Sequence, residues 1–234
     1  MSESLETWID AAVAGSPPPA LGLCRSLSLV LHRLAEEDDL AALLRLPALA
    51  GLTQLTLGTD ARSLTAAHLA GLVALRELRI ETNDAFTSAV RDAQVAEIAA
   101  TPALARLTLL SFNYVHLRGP GVAALARSEH LPALTTLELY GPANFAVCKA
   151  LAARPAPALR GVRHLALCAD HFTVAAAVAL GRAVDLLAGL RTLELRVDES
   201  GGFDWAEPFT GSQGARNARR LAHALARLLP ALPD

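Results

Sequence analysis

Lysine is almost missing from this chain: among its 21 lysine and arginine residues only Lys149 is a lysine. Cysteine is scarce too. Cys24, Cys148 and Cys168 are odd in number and cannot close a full set of internal disulfides, which excludes a disulfide-stapled scaffold and agrees with a reducing compartment. No apolar run approaches the roughly 18 residues of a membrane span. The first residues, Met1 to Glu6, are acidic where a secretory signal needs positive charge, so a cytoplasmic location is expected. Net charge is −2 with a pI near 6.4, which leaves no general field for nucleic acid or an anionic membrane; neither is expected as a partner. A phosphate-binding glycine loop, a His-Glu-x-x-His zinc motif and a paired Cys-x-x-Cys are all lacking, and no cofactor is expected.

What the chain has in abundance is leucine and alanine, within a hydrophobic fraction of 53%, ample for a buried core over 234 residues. Arginine in place of lysine, beside so much alanine and glycine, is the bias expected of a GC-rich bacterial genome.

The leucines are periodic. An apolar-x-x-Leu-x-apolar pattern recurs at Cys24-Leu27-Leu29, Leu52-Leu55-Leu57, Leu75-Leu78-Ile80, Leu104-Leu107-Leu109, Leu134-Leu137-Leu139, Val162-Leu165-Leu167 and Leu190-Leu193-Leu195. The central leucines stand 28, 23, 29, 30, 28 and 28 residues apart. The last two apolar positions of each unit are two apart, which is strand spacing and puts both on one face. Helical spacing follows at Leu64 and Leu69, Val95 and Ile98, Val122 and Leu125, Val147 and Leu151, and Val174, Val178 and Val184. A strand-turn-helix unit of this size cannot bury its own leucines and must stack on its neighbours, giving a parallel sheet with helices outside. The short interval of 23 residues leaves no room for a full helix.

On these seven copies the chain resembles the leucine-rich-repeat family, in the 28-to-29-residue subtype typified by ribonuclease inhibitor. The resemblance implies an α/β solenoid, a curved horseshoe with a parallel sheet of about seven strands on the concave face and helices on the convex face. It implies no particular activity. The family's buried Asn or Cys in the turn after each strand corresponds to His32, Asp60, Asn83, Phe112, Pro142, Asp170 and Asp198, of which Phe112 and Pro142 depart from the pattern. One continuous domain is expected: an N-terminal helical cap over 1–22, repeats over 23–198, and a C-terminal loop and capping helix over 199–234. Leu5, Trp8, Ile9, Ala12 and Val13 form the stripe of the first cap, ended by Gly15 and Pro17 to Pro19. Phe203, Trp205 and Phe209 precede the last helix and are assigned to covering the final strand.

Strand alternation turns the residues between the leucines outward onto the concave sheet. A first row reads Ser26, Gln54, Glu77, Arg106, Thr136, His164 and Thr192; a second Ser28, Thr56, Arg79, Thr108, Glu138, Ala166 and Glu194; a third Val30, Gly58, Glu81, Leu110, Tyr140, Cys168 and Arg196. Leu110, Tyr140 and Cys168 would then form an apolar strip within a charged rim of Arg79, Glu81, Arg106, Glu138, His164, Glu194 and Arg196, the composition that protein interfaces favour. Phe112 and Tyr114, then Phe145 and Phe172, fall in or near the following turns. The phenylalanines either seal those turns from inside or join the contact surface.

The nearest approach to a catalytic constellation is His164, Cys168, Asp170 and His171. Four residues of strand separate His164 from Cys168 by about 13 Å, beyond the reach of a base and its nucleophile. Cys24 and His32 sit at core and turn positions, and His68 on a convex helix, where structural or solvated roles are expected. Arg216, Arg219 and Arg220 read as a solvated helix face. The reading is a non-catalytic scaffold, monomeric, holding a partner protein on its concave face. The alternatives are a sensor, effector or immunity-type module controlling a partner enzyme and, third, an enzyme built on Cys168 and His171.

Overall fold

A computed structural model of the chain describes residues 22–31, 37–59, 64–81, 92–113, 117–140, 145–169 and 174–197. Seven strands lie in one parallel sheet in strict chain order: β1 (Ser26–Leu31), β2 (Gln54–Thr59), β3 (Glu77–Glu81), β4 (Leu109–Asn113), β5 (Thr136–Tyr140), β6 (His164–Ala169) and β7 (Thr192–Val197). Parallel neighbours need a crossover, and helices supply it. These are α1 (Glu37–Leu44), α2 (Ala66–Leu69), α3 (Asp92–Ala99), α4 (Gly119–Arg127), α5 (Phe145–Leu151), α6 (Val174–Leu180) and α7 (Val184–Leu187). Among its described residues the 23-residue interval between Leu55 and Leu78 holds one helix, α2, a single turn of four residues.

One core joins the two layers. Leu55, Leu78, Leu137 and Leu165 from the strands and Val95, Ile98, Val122, Leu125, Val147 and Leu151 from the helices are all buried in it. Leu27, Leu193 and Leu195, on the two outermost strands, are only partly buried. The final helical stripe departs from the expected one. In α6 the buried side is Ala176, Ala177, Ala179 and Leu180, while Val178 and Val184 are about half exposed. A segment apolar on all sides carries no periodicity to choose its inner face, and here the small alanines pack inward.

The strands are joined at their starts by a recurring device. The carbonyl of the residue before each strand accepts two successive N–H groups from the next unit: Thr108 O receives Thr135 N at 2.9 Å and Thr136 N at 2.9 Å. Where that residue is threonine its hydroxyl donates as well, Thr53 to Arg25 O (2.8 Å), Thr108 to Arg76 O (3.0 Å) and Thr135 to Thr108 O (3.1 Å). At the helix layer, Asp92 Oδ1 accepts the N–H groups of Arg118 and Gly121, both at 3.0 Å, and so satisfies donors at the start of α4 that have no partner within their own helix. Gly121 permits this, since a Cβ there would stand 2.6 Å from the same oxygen.

The fourth unit corrects the sequence reading. Leu78 is paired with Leu110, and Leu110 with Leu137, so the core-facing positions of β4 are Leu110 and Phe112, both fully inaccessible. The central leucines are therefore Leu27, Leu55, Leu78, Leu110, Leu137, Leu165 and Leu193, spaced 28, 23, 32, 27, 28 and 28. The segment Pro102-Ala-Leu-Ala-Arg-Leu matches Pro47-Ala-Leu-Ala-Gly-Leu and Pro157-Ala-Leu-Arg-Gly-Val, each a 3-10 turn opened by proline whose leucine is buried. These prolines recur at a step of 55, from 47 to 102 to 157. Pro132-Ala-Leu134 sits three residues later in its own unit, and aligning the fourth unit with it shifts β4 by an odd number, which swaps the faces. The physical choice is clear. The expected register exposes Leu110, whereas the observed one buries it beside Phe112 and leaves only Leu109 half buried, and full burial of such a side chain is worth roughly 1.5–3 kcal/mol.

Candidate functional site

The face of the sheet opposite the helices carries the candidate site. Its three rows follow from the register. The first is Ser26, Gln54, Glu77, Leu109, Thr136, His164 and Thr192; the second Ser28, Thr56, Arg79, Ser111, Glu138, Ala166 and Glu194; the third Val30, Gly58, Glu81, Asn113, Tyr140, Cys168 and Arg196. Three residues expected on this face are absent from it. Arg106 ends the 3-10 turn Pro102–Arg106 and is exposed outside the sheet. Leu110 is core. Thr108 also drops out of its row into the hydrogen-bonded device that precedes β4.

At the centre, Arg79 Nη1 donates to Glu138 Oε2 at 2.9 Å although the whole of β4 lies between their strands. Ser111 occupies the intervening position of the same row and is buried. Its small side chain leaves the path over β4 clear for the guanidinium. On the far side Glu138 adjoins Ala166, again a small residue. Glu138 is only 13% exposed and Arg79 35%, so the pair is sheltered on the acid side and open on the base side. A sheltered carboxylate needs its partner, because a charge left alone there loses solvation without compensation.

Around this pair the first row is mostly polar, with one link inside the row and one to the second row. Gln54 Nε2 donates to Glu77 Oε1 at 3.1 Å, and His164 Nε2 lies 4.0 Å from Glu194 Oε2, an ion pair when the imidazole is protonated. Leu109 interrupts the row as a half-buried apolar side chain. In the third row Glu81, Asn113 and Tyr140 are half buried, and Tyr140 has Asn113 on one side and Cys168 on the other. Cys168 and Arg196 continue this row in the backbone register; their side chains lie outside what the structure describes. The expected strip of Leu110, Tyr140 and Cys168 is thus replaced by Asn113, Tyr140 and Cys168. Aromatic and carboxamide chemistry stands where leucine and tyrosine were expected.

The phenylalanines divide. Phe112 is an inward core residue of β4, and Phe145 opens α5 in the helix layer at 49% exposure, so neither joins this face. Tyr114, Phe172, Asp170 and His171 fall outside the described residues, as do His32, Asp60, Asn83, Pro142, Asp198 and the cap segments expected at 5–13 and 203–229. His164 and Cys168 occupy β6 four residues apart.

Away from this face, one histidine and two cysteines sit in the framework of the fold. His68 is buried in α2, where its Nδ1 accepts the Thr65 N–H at 2.8 Å and lies 2.9 Å from the Thr65 hydroxyl, a reciprocal cap on that single turn. Cys24 is partly buried and its thiol donates to Ser26 O at 3.0 Å, so it is less enclosed than a core position implies. Cys148, in α5, is fully buried, and burial pushes its thiol up to about 12. Among the described residues no three His, Cys, Asp or Glu side chains gather to hold a metal, and no helix is long and apolar enough to cross a membrane.

The interlinked polar residues can present alternating charge and hydrogen-bonding groups, with Tyr140 as an amphipathic anchor, to a surface laid against them. No model of a known protein family matches the chain, and no curated protein matches it.

Proposed function

We propose that the chain is a leucine-rich-repeat solenoid that holds a partner protein on the face of its sheet opposite the described helices, without catalysis. The observation that carries this reading is the Arg79–Glu138 pair laid over Ser111, with Tyr140 in the adjacent row. It gives a fixed, sheltered charge pattern, which a protein interface uses for register and orientation more than for raw affinity. Tyrosine and arginine are the side chains from which binding hot spots are most often built. The half-buried Leu109 adds apolar area beside them.

Capture of partners from the native cell, comparing the wild-type chain with Tyr140→Ala and with Phe145→Ala, tests this reading. A protein held by the wild type and by Phe145→Ala is expected to be lost by Tyr140→Ala. Equal retention by all three contradicts it.

A further inference from the structure

The connections between helices and following strands line the edge of the sheet at which every strand begins. Helix C-termini carry partial negative charge, so arginine is favoured at this edge on general grounds. The macrodipole acts at each connection alike, however, and the arginines are not distributed alike. The four connections spanning 45–53, 70–76, 100–108 and 128–135 hold Arg45, Arg76 and Arg106, whereas the last two, 152–163 and 181–191, hold Arg154, Arg160, Arg163, Arg182 and Arg191 against the single carboxylate Asp185.

Three of these line one cavity of about 760 Å³ with Val184, Asp185 and Gly189. Arg163 has a structural task there. Its Nη1 donates to Gly189 O at 2.9 Å and reaches Arg160 O at 3.4 Å, a placement open only because residue 189 is glycine: a Cβ would stand 2.2 Å from that nitrogen. A similar close approach recurs in the first units, where a Cβ on Gly51, again 26 positions after the arginine, would meet Arg25 Nη1 at 2.7 Å, although that nitrogen donates to Gly22 O and Cys24 O. Arg160 and Arg191 have no such task. Both are exposed, and none of the three arginines forms an ion pair among the described residues, nor does Asp185. Beside them Val184 stands 51% exposed.

The geometry points to this cavity as a second docking site, independent of the open face, that takes an acidic peptide segment of a partner protein. Its carboxylate would be held between Arg160 and Arg191 and a neighbouring apolar side chain would lie on Val184. Unneutralised guanidinium groups bind carboxylates and phosphates alike. The exposed valine, and the lack of an aromatic ring among the described residues that line the cavity, favour a peptide over nucleic acid, whose bases need a stacking platform.

The test is fluorescence anisotropy with a labelled twelve-residue peptide of four Glu-Glu-Leu units, and a labelled twelve-nucleotide single-stranded DNA as comparator, against the full chain. The peptide is expected to bind the wild type and to lose at least tenfold in affinity with Arg160→Glu and Arg191→Glu combined, with the DNA at least tenfold weaker on the wild type. If the glutamate pair melts below the wild type, Arg160→Ala with Arg191→Ala reads the same loss without reversed charge. No peptide binding, or binding unchanged in both double variants, overturns the proposal. DNA binding tighter than peptide binding and lost in the variants overturns it in favour of a nucleic-acid surface.

Discussion

Arg79 and Glu138 meet at 2.9 Å from strands that are not neighbours, the guanidinium passing over Ser111 on the strand between them. Exposed ion pairs contribute about 0–1 kcal/mol, but a carboxylate only 13% exposed is left poorly solvated when its partner is removed. Arg79→Ala is therefore expected to destabilise the fold by about 1–2 kcal/mol in urea unfolding, and Arg79→Ala with Glu138→Ala by less than the two single changes together. Additive losses would show that the two side chains do not interact.

The position of Ser111 supplies a second check on the same contact. A larger side chain there obstructs the path of the guanidinium, so Ser111→Leu is expected to abolish the coupling between Arg79 and Glu138 in the double-mutant cycle while leaving a cooperative melt. Coupling that survives this change would mean that the guanidinium takes another route.

The buried thiol of Cys148 predicts a pH dependence with a definite sign. In the native state it holds its proton up to about 12, whereas the unfolded thiol releases it near 9.0. The contribution is complete below about pH 9 and is lost as pH rises towards 12, because over that window the unfolded chain binds fewer protons than the native one. Stability should fall with increasing pH in that range, and Cys148→Ala should flatten the slope. In the native protein Cys24 should react with iodoacetamide before Cys148. Rapid native alkylation of Cys148 would contradict its burial.

Close backbone approach separates two glycines. A Cβ on Gly161 would stand 2.8 Å from the Leu134 carbonyl oxygen, while one on Gly71 would lie 3.7 Å from Leu44 O, an ordinary contact. Gly161→Ala is expected to cost about 1–3 kcal/mol. Gly71→Ala is expected to be neutral or slightly stabilising, since it mainly restricts the unfolded chain. Thermal melts of the two variants read the difference; equal shifts would mean that the approach at Gly161 relaxes freely.

Much of this architecture is legible in the residues. The marker leucines of six units, the strand spacing of their apolar pairs, the stunted helix before Leu78 and the placement of Arg79 and Glu138 in one row all follow from periodicity; their contact over Ser111 does not. β4 was not legible in the same way. Leu104-Leu107-Leu109 and Leu107-Leu110-Phe112 both satisfy the pattern, and only the burial of Leu110 and Phe112 together separates them. The step of 55 between Pro47, Pro102 and Pro157 was the available signal. The arginine cavity was hidden for another reason: Arg160, Arg163 and Arg191 come from two units and meet only once the sheet has formed. The 28-residue step from Arg163 to Arg191, equal to that from Leu165 to Leu193, carries that information, but it means little until the edge is seen.

Every statement about the open face depends on which way β4 faces, and paired melts of Leu109→Asp and Leu110→Asp test that most directly. Leu110 is fully buried, and truncating such a leucine already costs about 2–5 kcal/mol, so a carboxylate there should abolish the cooperative melt. Leu109 is half buried on the open face, and Leu109→Asp should melt cooperatively within a few degrees of the wild type, a loss of about 1 kcal/mol. An intact melt for Leu110→Asp together with collapse of Leu109→Asp would turn β4 over, move Ser111 off the face and remove the path that joins Arg79 to Glu138.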